Sequence, residues 1–518
     1  MKALFHQLLF AIAAVGLVRG ADSSPTRPNI LFIAVDDLRP EFGAYGADYI
    51  KSPNLDRLAR EGMTFRRAYC QQAVCSPTRS SLLTGTRPDT TKVWDLVTHF
   101  RDALPNVVTL PQHFKEHGYF VQGMGKIYHG SLDDPRSWTV PWATPLADTY
   151  ALPENVQLNA RRYGLDPDDA PGARKAKAKG QAKAKKAAAT DPDATPAQKN
   201  IRGPAYEGAD VPDNTFQDGK VAELALTTLR EMSQKKEPFF LAVGFIKPHL
   251  PFIAPKKYWD LYDPAQIKLA PNSFRPKDAP DYAILDGGEL RNYHGIPDGH
   301  VPDDLARQLK HGYYAAISYM DAQVGKVLAE LDRLDLRKNT IVILWGDHGW
   351  KLGEHDAWCK HSNCENDTNT ALLLSVPGMK QRGAQTQGIV EFVDIYPTLA
   401  ELAGLPLPSH LEGISFKPLL DDPTRRWKSA AFSQYPRTAG KSALGALMGY
   451  AMCTERYRFV VWVARDDHRK VDAIELYDHQ TDPQENTNIA KIPANAALVA
   501  QLMAQWRQGW QGAKPAVN

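Results

Sequence analysis

The sequence predicts an α/β protein, a large doubly wound domain followed by a smaller C-terminal domain built on an antiparallel sheet. Three observations carry this. Short continuous apolar runs, Pro28 to Val35, Phe239 to Phe245 and Thr340 to Trp345, read as strands buried on both faces of a parallel sheet. Helical patterns stand between them, so that strand, helix and strand recur along the chain. Beyond Pro418-Leu419-Leu420 the periodicity turns to strand-like alternation through Arg458 to Val463. A chain of 518 residues also exceeds what one ordinary core supports, which favours two unequal domains.

Taken in order, the first element is a signal peptide over residues 1–20: Lys2 and His6 precede the apolar run Leu8 to Val18, and small residues follow at Gly20 and Ala21. The run is short for a bilayer span, and Ala21-Asp22-Ser23 supplies no cysteine for lipidation, so export to the periplasm or the medium without a stable membrane anchor is expected. The large domain is placed at 28–420. Its first strand ends in Asp36-Asp37, two carboxylates at the edge where ligands of α/β sheets gather. Asn54 to Gly62 reads as a helix with Leu55, Leu58 and Ala59 on one face and a glycine stop, and Phe65 to Tyr69 as another short strand. From 171 to 198 the composition shifts to Ala, Lys, Gly and Pro without apolar periodicity, the mark of a disordered insertion. Leu305 to Leu334 is helical, and the strand Thr340 to Trp345 runs into Gly346-Asp347-His348. The smaller domain, 421–518, should close with a helix over Ala496 to Trp510.

Composition excludes some functions. Apolar residues at 43%, charged residues at 23% and a formal charge of +3 are ordinary for a globular chain and nominate no nucleic-acid partner. Cys70, Cys75, Cys359, Cys364 and Cys453 are too few to staple an exported protein of this size, and their odd number leaves at least one thiol unpaired. A local Cys359–Cys364 bridge is one possible pairing.

The sharpest local pattern is Cys75-Ser76-Pro77-Thr78-Arg79-Ser80-Ser81-Leu82-Leu83-Thr84-Gly85. A cysteine stands just before a helical run whose proline suits a helix start. The free amides of that terminus and the Arg79 fork would favour an anion beside Cys75. Cys-x-Pro-x-Arg with Leu-Thr-Gly resembles the motif of the type I sulfatases, in which the cysteine is oxidised to formylglycine (3-oxoalanine). The resemblance runs from Asn29 through Asp482 apart from the insertion and is nearest the iduronate-2-sulfatase branch. Further motifs that carry it are Gly125-Lys126-Ile127-Tyr128-His129, Lys247-Pro248-His249-Leu250-Pro251-Phe252, Gly346-Asp347-His348-Gly349-Trp350 and Phe432-Ser433-Gln434-Tyr435-Pro436-Arg437. Thr78 stands where Ser is more usual and keeps the hydroxyl; His361 to Asn369 departs from the family pattern and points to an altered pocket rim.

The resemblance implies an alkaline-phosphatase-like large domain and a host enzyme that oxidises Cys75. It implies one Ca2+ per chain, in preference to Mg2+, held by Asp36, Asp37, Asp347, His348 and the modified Cys75. The chemistry agrees, because sulfate-ester hydrolysis needs its negative oxygens neutralised, a nucleophile, and a proton for the departing alcohol, and an oxygen-rich site suits a hard cation. Lys126 and Lys360 match sulfate-holding positions, His249 the general acid and His129 the base that frees the sulfate; a Lys acts as a point charge and a His passes protons near neutrality. Trp94, Asp95, His99 and Arg101 lie where the branch shapes its sugar subsite. A sulfated sugar is the expected substrate. Two other readings stand beside it, a phosphate or phosphonate ester hydrolase of the same superfamily and an inactive protein that holds sulfated polysaccharide.

Overall fold

The protein is described by a computed structural model over residues 27–161, 202–285, 288–438, 440 and 442–515. The expected signal peptide and the 171–198 insertion lie outside the described residues.

The centre is a seven-stranded sheet of Asn29–Val35 (β1), Met63–Phe65 (β2), Phe120–Gly125 (β3), Phe239–Phe245 (β4), Thr340–Gly346 (β5), Leu372–Ser375 (β6) and Ala384–Thr386 (β7), in the order β7-β2-β6-β5-β1-β4-β3. Only β6 runs against the others, pairing antiparallel with β5 and β2. The sheet is mixed and mostly parallel, as expected. Every residue of β1 is buried, and its side chains divide by parity. Leu31, Ile33 and Val35 enter one core with Leu55 and Leu58 of helix α1 (Pro53–Glu61), Val221 of α3 (Gln217–Met232) and Ile317 of α4 (Asp303–Arg333). Ile30, Phe32 and Ala34 enter a second core with Leu82 and Leu83 of α2 (Cys75–Thr84) and Leu399 of α5 (Ile395–Leu402). Helices thus cover both faces, the arrangement that continuous apolar strands require.

The expected strand Phe65 to Tyr69 is two. Met63–Phe65 pairs in the central sheet, whereas Ala68–Tyr69 pairs with Val390–Glu391, and the chain changes sheets at the basic pair Arg66-Arg67. All five cysteines are free thiols, so Cys359 and Cys364 are unbridged.

After α5 the chain forms an antiparallel meander, Ala430–Arg437 (β8), Leu447–Thr454 (β9), Tyr457–Ala464 (β10) and Asp467–Asp478 (β11), closed by α6 (Ala496–Gly512). Leu502 of α6 packs on Met448, Met452 and Phe459. The meander sits against the segment that leads into α2: Gln434 N donates to Gln71 O at 2.8 Å and Ser433 Oγ to Cys70 O at 2.6 Å.

Register positions the site. Val35 lies beside Gly346 of β5 and Phe245 of β4, and Gly125 of β3 beside Gly244. Four adjacent strands therefore end at one level and release Lys126, the Ile246–His249 loop, Asp36-Asp37 and Asp347-His348 side by side.

Candidate active site

Tight backbone packing holds these strand ends. Gly125 has φ +66°, and a Cβ there would lie 2.1 Å from Gly244 O; one on Gly349 would lie 1.9 Å from Asn366 O. Asp37 adopts φ 59°, its carbonyl accepting from Tyr313 Oη at 2.7 Å and its amide donating to Asp347 Oδ1 at 3.0 Å. The same Oδ1 accepts from His348 N at 3.0 Å, so Asp347 ties the ends of β1 and β5 together.

Helix α2 begins at Cys75 and brings the thiol to this edge, with Sγ 3.3 Å from His348 Nε2 and 3.7 Å from Lys126 Nζ. His348 Nδ1 donates to Gly349 O at 2.9 Å, which turns Nε2 toward the acidic cluster. That Nε2 lies 3.4 Å from Asp37 and 3.6 Å from Asp347. Ligand atoms of Asp36, Cys75, Asp347 and His348 all fall within 4.8 Å of one another, as do those of Asp36, Asp37, Cys75 and His249. Three buried carboxylates and one imidazole nitrogen form a donor set that fits a hard divalent cation.

Arg79 takes a different place from the one its sequence position indicates. It is fully buried behind the carboxylates, with Nε on Asp347 at 2.9 Å, Nη2 on Asp36 at 3.2 Å and Nη1 on the carbonyls of Lys126 and Ile127. Its fork is occupied by these partners, so it orients the acidic residues and does not reach out to an anion.

Electrostatics distinguish the two neighbouring aspartates. Burial would raise the Asp36 carboxyl, but Lys126, His249 and Arg79 outweigh it and hold the group well below the usual range. For Asp37 burial wins over Lys360, and its affinity for a proton rises. Burial and the Asp36 charge push the Cys75 thiol well above its ordinary value. His129 goes the other way: burial, then Lys126, lowers it to about 3, and its Nδ1 is buried without a partner. His129 is therefore held neutral, with a reduced affinity for a proton.

Sequence reasoning misses Glu289. Its carboxylate accepts from His249 Nε2 at 2.9 Å and pairs with Lys360 Nζ at 2.7 Å, while Lys360 also donates to both oxygens of Asp37 at 3.1 and 3.2 Å. His249 Nδ1 donates to Leu250 O at 2.6 Å, so both ring nitrogens face acceptors. Lys360 and His249 together overcome burial and keep Glu289 ionised. Lys247, quoted above only as part of a motif, pins the His249 loop through His249 O at 2.8 Å and Pro251 O at 2.6 Å.

Three of the four sugar-subsite candidates have polar groups engaged within the protein, whereas the indole Nε1 of the fourth, Trp94, is buried without a partner. Asp95 caps its own turn through Val97 N, Thr98 N and Thr98 Oγ1. Arg101 forms a two-pronged pair with Asp134 at 2.7 Å and donates to the Pro105 and Val107 carbonyls. His99 caps the short helix Phe100–Ala103. Trp94 accepts from Gln72 through its carbonyl and packs against the C-terminal meander.

Comparison with known proteins follows this geometry. The family model described as Sulfatase matches residues 28–405, and one described as N-sulphoglucosamine sulphohydrolase, C-terminal, matches 353–511. Iduronate 2-sulfatase of Mus musculus is 34% identical, the alignment covering 95% of this chain and 96% of that protein. In fold, a 2-O GAG sulfatase superimposes with TM-score 0.68 at 22% identity over 93% of this chain and 91% of its own. A phosphonate monoester hydrolase from Silicibacter pomeroyi gives 0.69 at 22% identity over 94% and 96%.

Proposed function

The chain belongs to the sulfatase family, on the side of its iduronate-2-sulfatase branch, and is a sulfuric ester hydrolase; from that premise we propose that it cleaves a sulfate ester on a sulfated carbohydrate with a nucleophile made from Cys75. The observation that carries this reading is the convergence of Cys75, Lys126, His249, Lys360 and the Asp36, Asp37, Asp347 and His348 donors at one sheet edge. A sugar substrate is supported by the relative named for iduronate and by a neighbour of the same fold described in complex with D-glucosamine-2-N,6-O-disulfate.

Burial, then the Asp36 charge, keeps the Cys75 thiol protonated, a poor nucleophile, which supports its working as formylglycine. Once converted to the formylglycine hydrate, residue Cys75 would supply one oxygen to attack sulfur and a second to expel the sulfate. Asp36, Asp37, Asp347 and His348 would hold a Ca2+, which when bound neutralises the sulfate oxygens. Lys126 and Lys360 place two ammonium groups at the same edge to hold the sulfate. His249, with both ring nitrogens on acceptors, is set to give the Nε2 proton to the departing sugar oxygen. His129, whose Nδ1 is buried without a partner, would take a proton from the second hydrate oxygen as the sulfate leaves. Arg79 acts through Asp36 and Asp347 as a positioning residue. Maturation needs an enzyme that oxidises Cys75, and the first twenty residues support export. Among the described residues no helix is long and apolar enough to cross a membrane.

The test is Ca2+-dependent release of inorganic sulfate from a panel of sulfated sugars, with the Cys75 peptide checked by mass for conversion and Cys75→Ala alongside. Release that disappears in the control supports the mechanism. Phosphate release by converted protein that frees no sulfate would overturn it.

A further inference from the structure

Between the C-terminal helix and the segments on either side of α2 lies a second cleft of about 230 Å3. Gln71, Asp89, Gln434, Tyr450, Trp506 and Trp510 line it. We propose that it is a carbohydrate subsite that takes an unsulfated sugar ring of the same oligosaccharide whose sulfate is cleaved at Cys75.

Gln71 carries the argument. Its side chain is 1% exposed, lines the cleft, and neither its Oε1 nor its Nε2 has a hydrogen-bond partner. Buried amides are seldom left so, because both the donor and the acceptor have given up water. A carboxamide offers one donor and one acceptor side by side, the complement of two neighbouring hydroxyls on a sugar ring. Beside it Asp89 is held rigid, accepting from Gln434 Nε2 at 2.9 Å and from Tyr450 Oη at 2.6 Å. The aromatic wall is equally specific. Helix α6 breaks at Gly509, with φ 64°, and Trp506 and Trp510 line the cleft on either side of the break. Tyr450 lies 6.3 Å from the Trp506 ring, and flat apolar rings beside fixed polar groups suit the two-sided character of a sugar.

Charge selects against sulfate here. Asp89 and Glu412 are both on the wall, and the one guanidinium there, Arg87, is already paired with Glu391 through two contacts of 2.8 Å. Two carboxylates face one guanidinium that is already paired and the His468 ring, so the balance disfavours an anionic group and the ring bound is one that carries no sulfate. The position fits a neighbouring unit, since Gln71 is four residues before Cys75 and its Cα is within about 14 Å of it at full extension.

The inference rests on the carbohydrate reading above only for the class of ligand, and it is tested without catalysis. Neutral unsulfated tetrasaccharides of galactan, fucan and N-acetyllactosamine type are titrated into the full-length protein by calorimetry, with tryptophan emission recorded in parallel. At least one should bind saturably to the wild type and to Cys75→Ala. Trp506→Ala and Gln71→Met should each weaken it roughly tenfold, the loss of one well-packed contact. Gln71→Met removes an unpaired amide, so its melting temperature should equal or exceed that of the wild type, which separates lost binding from lost fold. Binding by none of the tetrasaccharides, or equal binding by all variants, overturns the subsite. A protein that binds the unsulfated chain yet frees no sulfate would sink the proposed activity and leave the subsite standing.

Discussion

Replacing Arg79 with Met should destabilise the protein by an amount that Ca2+ partly restores. The side chain is 0% exposed and bridges Asp347 and Asp36 at 2.9 and 3.2 Å while donating to Ile127 O at 3.0 Å. Burial disfavours its charge, but the two aspartates outweigh burial and raise its proton affinity. Met is of similar length and takes the guanidinium from both carboxylates and from the Lys126 and Ile127 carbonyls, leaving Asp36 with Lys126 and Asp347 with the Asp37 and His348 amides. Removing one member of a buried ion pair costs about 3–5 kcal/mol. In a chain this long that corresponds to a fall in melting temperature of roughly 3–5 °C. A cation among Asp36, Asp37, Asp347 and His348 neutralises the same carboxylates, so adding Ca2+ should raise the melting temperature of the variant more than that of the wild type. The assay is differential scanning calorimetry of both proteins across a Ca2+ series. A variant that melts within about 1 °C of the wild type without Ca2+ would refute the reasoning, as would an identical Ca2+ increment in the two proteins.

Two further outcomes follow from pairs described above or beside them. Glu289→Gln keeps an acceptor but loses the charge shared by His249 and Lys360; a hydrogen bond to a charged group is worth about 1.5–3 kcal/mol, so kcat should fall roughly 10- to 100-fold with KM changing less. An unchanged kcat would mean that the carboxylate only fills the place substrate takes. Glu485, buried, is lowered to about 2: burial opposes this, but Arg458 and His479 prevail. Because its folded value lies below the unfolded 4.5, its contribution of roughly 3 kcal/mol is present above pH 4.5 and lost as pH falls toward 2. Glu485→Gln should therefore be much less stable than the wild type to urea at pH 7, with the gap closing on acidification; a gap constant from pH 7 to pH 3 would contradict the pairing.

What was legible in the sequence was whatever a buried parallel strand imposes. Such a strand must be apolar throughout, so Asp36-Asp37 and Asp347-His348 stand out as the first polar residues after β1 and β5, and register then makes them neighbours. Cys75 was legible for a similar reason, since a helix start confines the residue types around it. Residues whose role depends on a long-range partner were not. Glu289 sits in a stretch with no periodicity, and only folding brings it to His249 and Lys360, forty and seventy-one positions away. Arg79 was visible but its direction was not, because an arginine one helical turn after Cys75 can face an anion in front or carboxylates behind with the same spacing. Arg101 and Asp95 show the converse: their chemistry suits a sugar, but Asp134 and a turn of backbone amides claim them first. The sequence does not show which polar side chains the fold satisfies, nor whether such a group stays structural, as Arg101 does with Asp134, or exchanges its partner for substrate, as the roles proposed for Lys360 and His249 require. The subsite proposed above rests on the opposite case, Gln71, whose buried amide meets no partner in the protein.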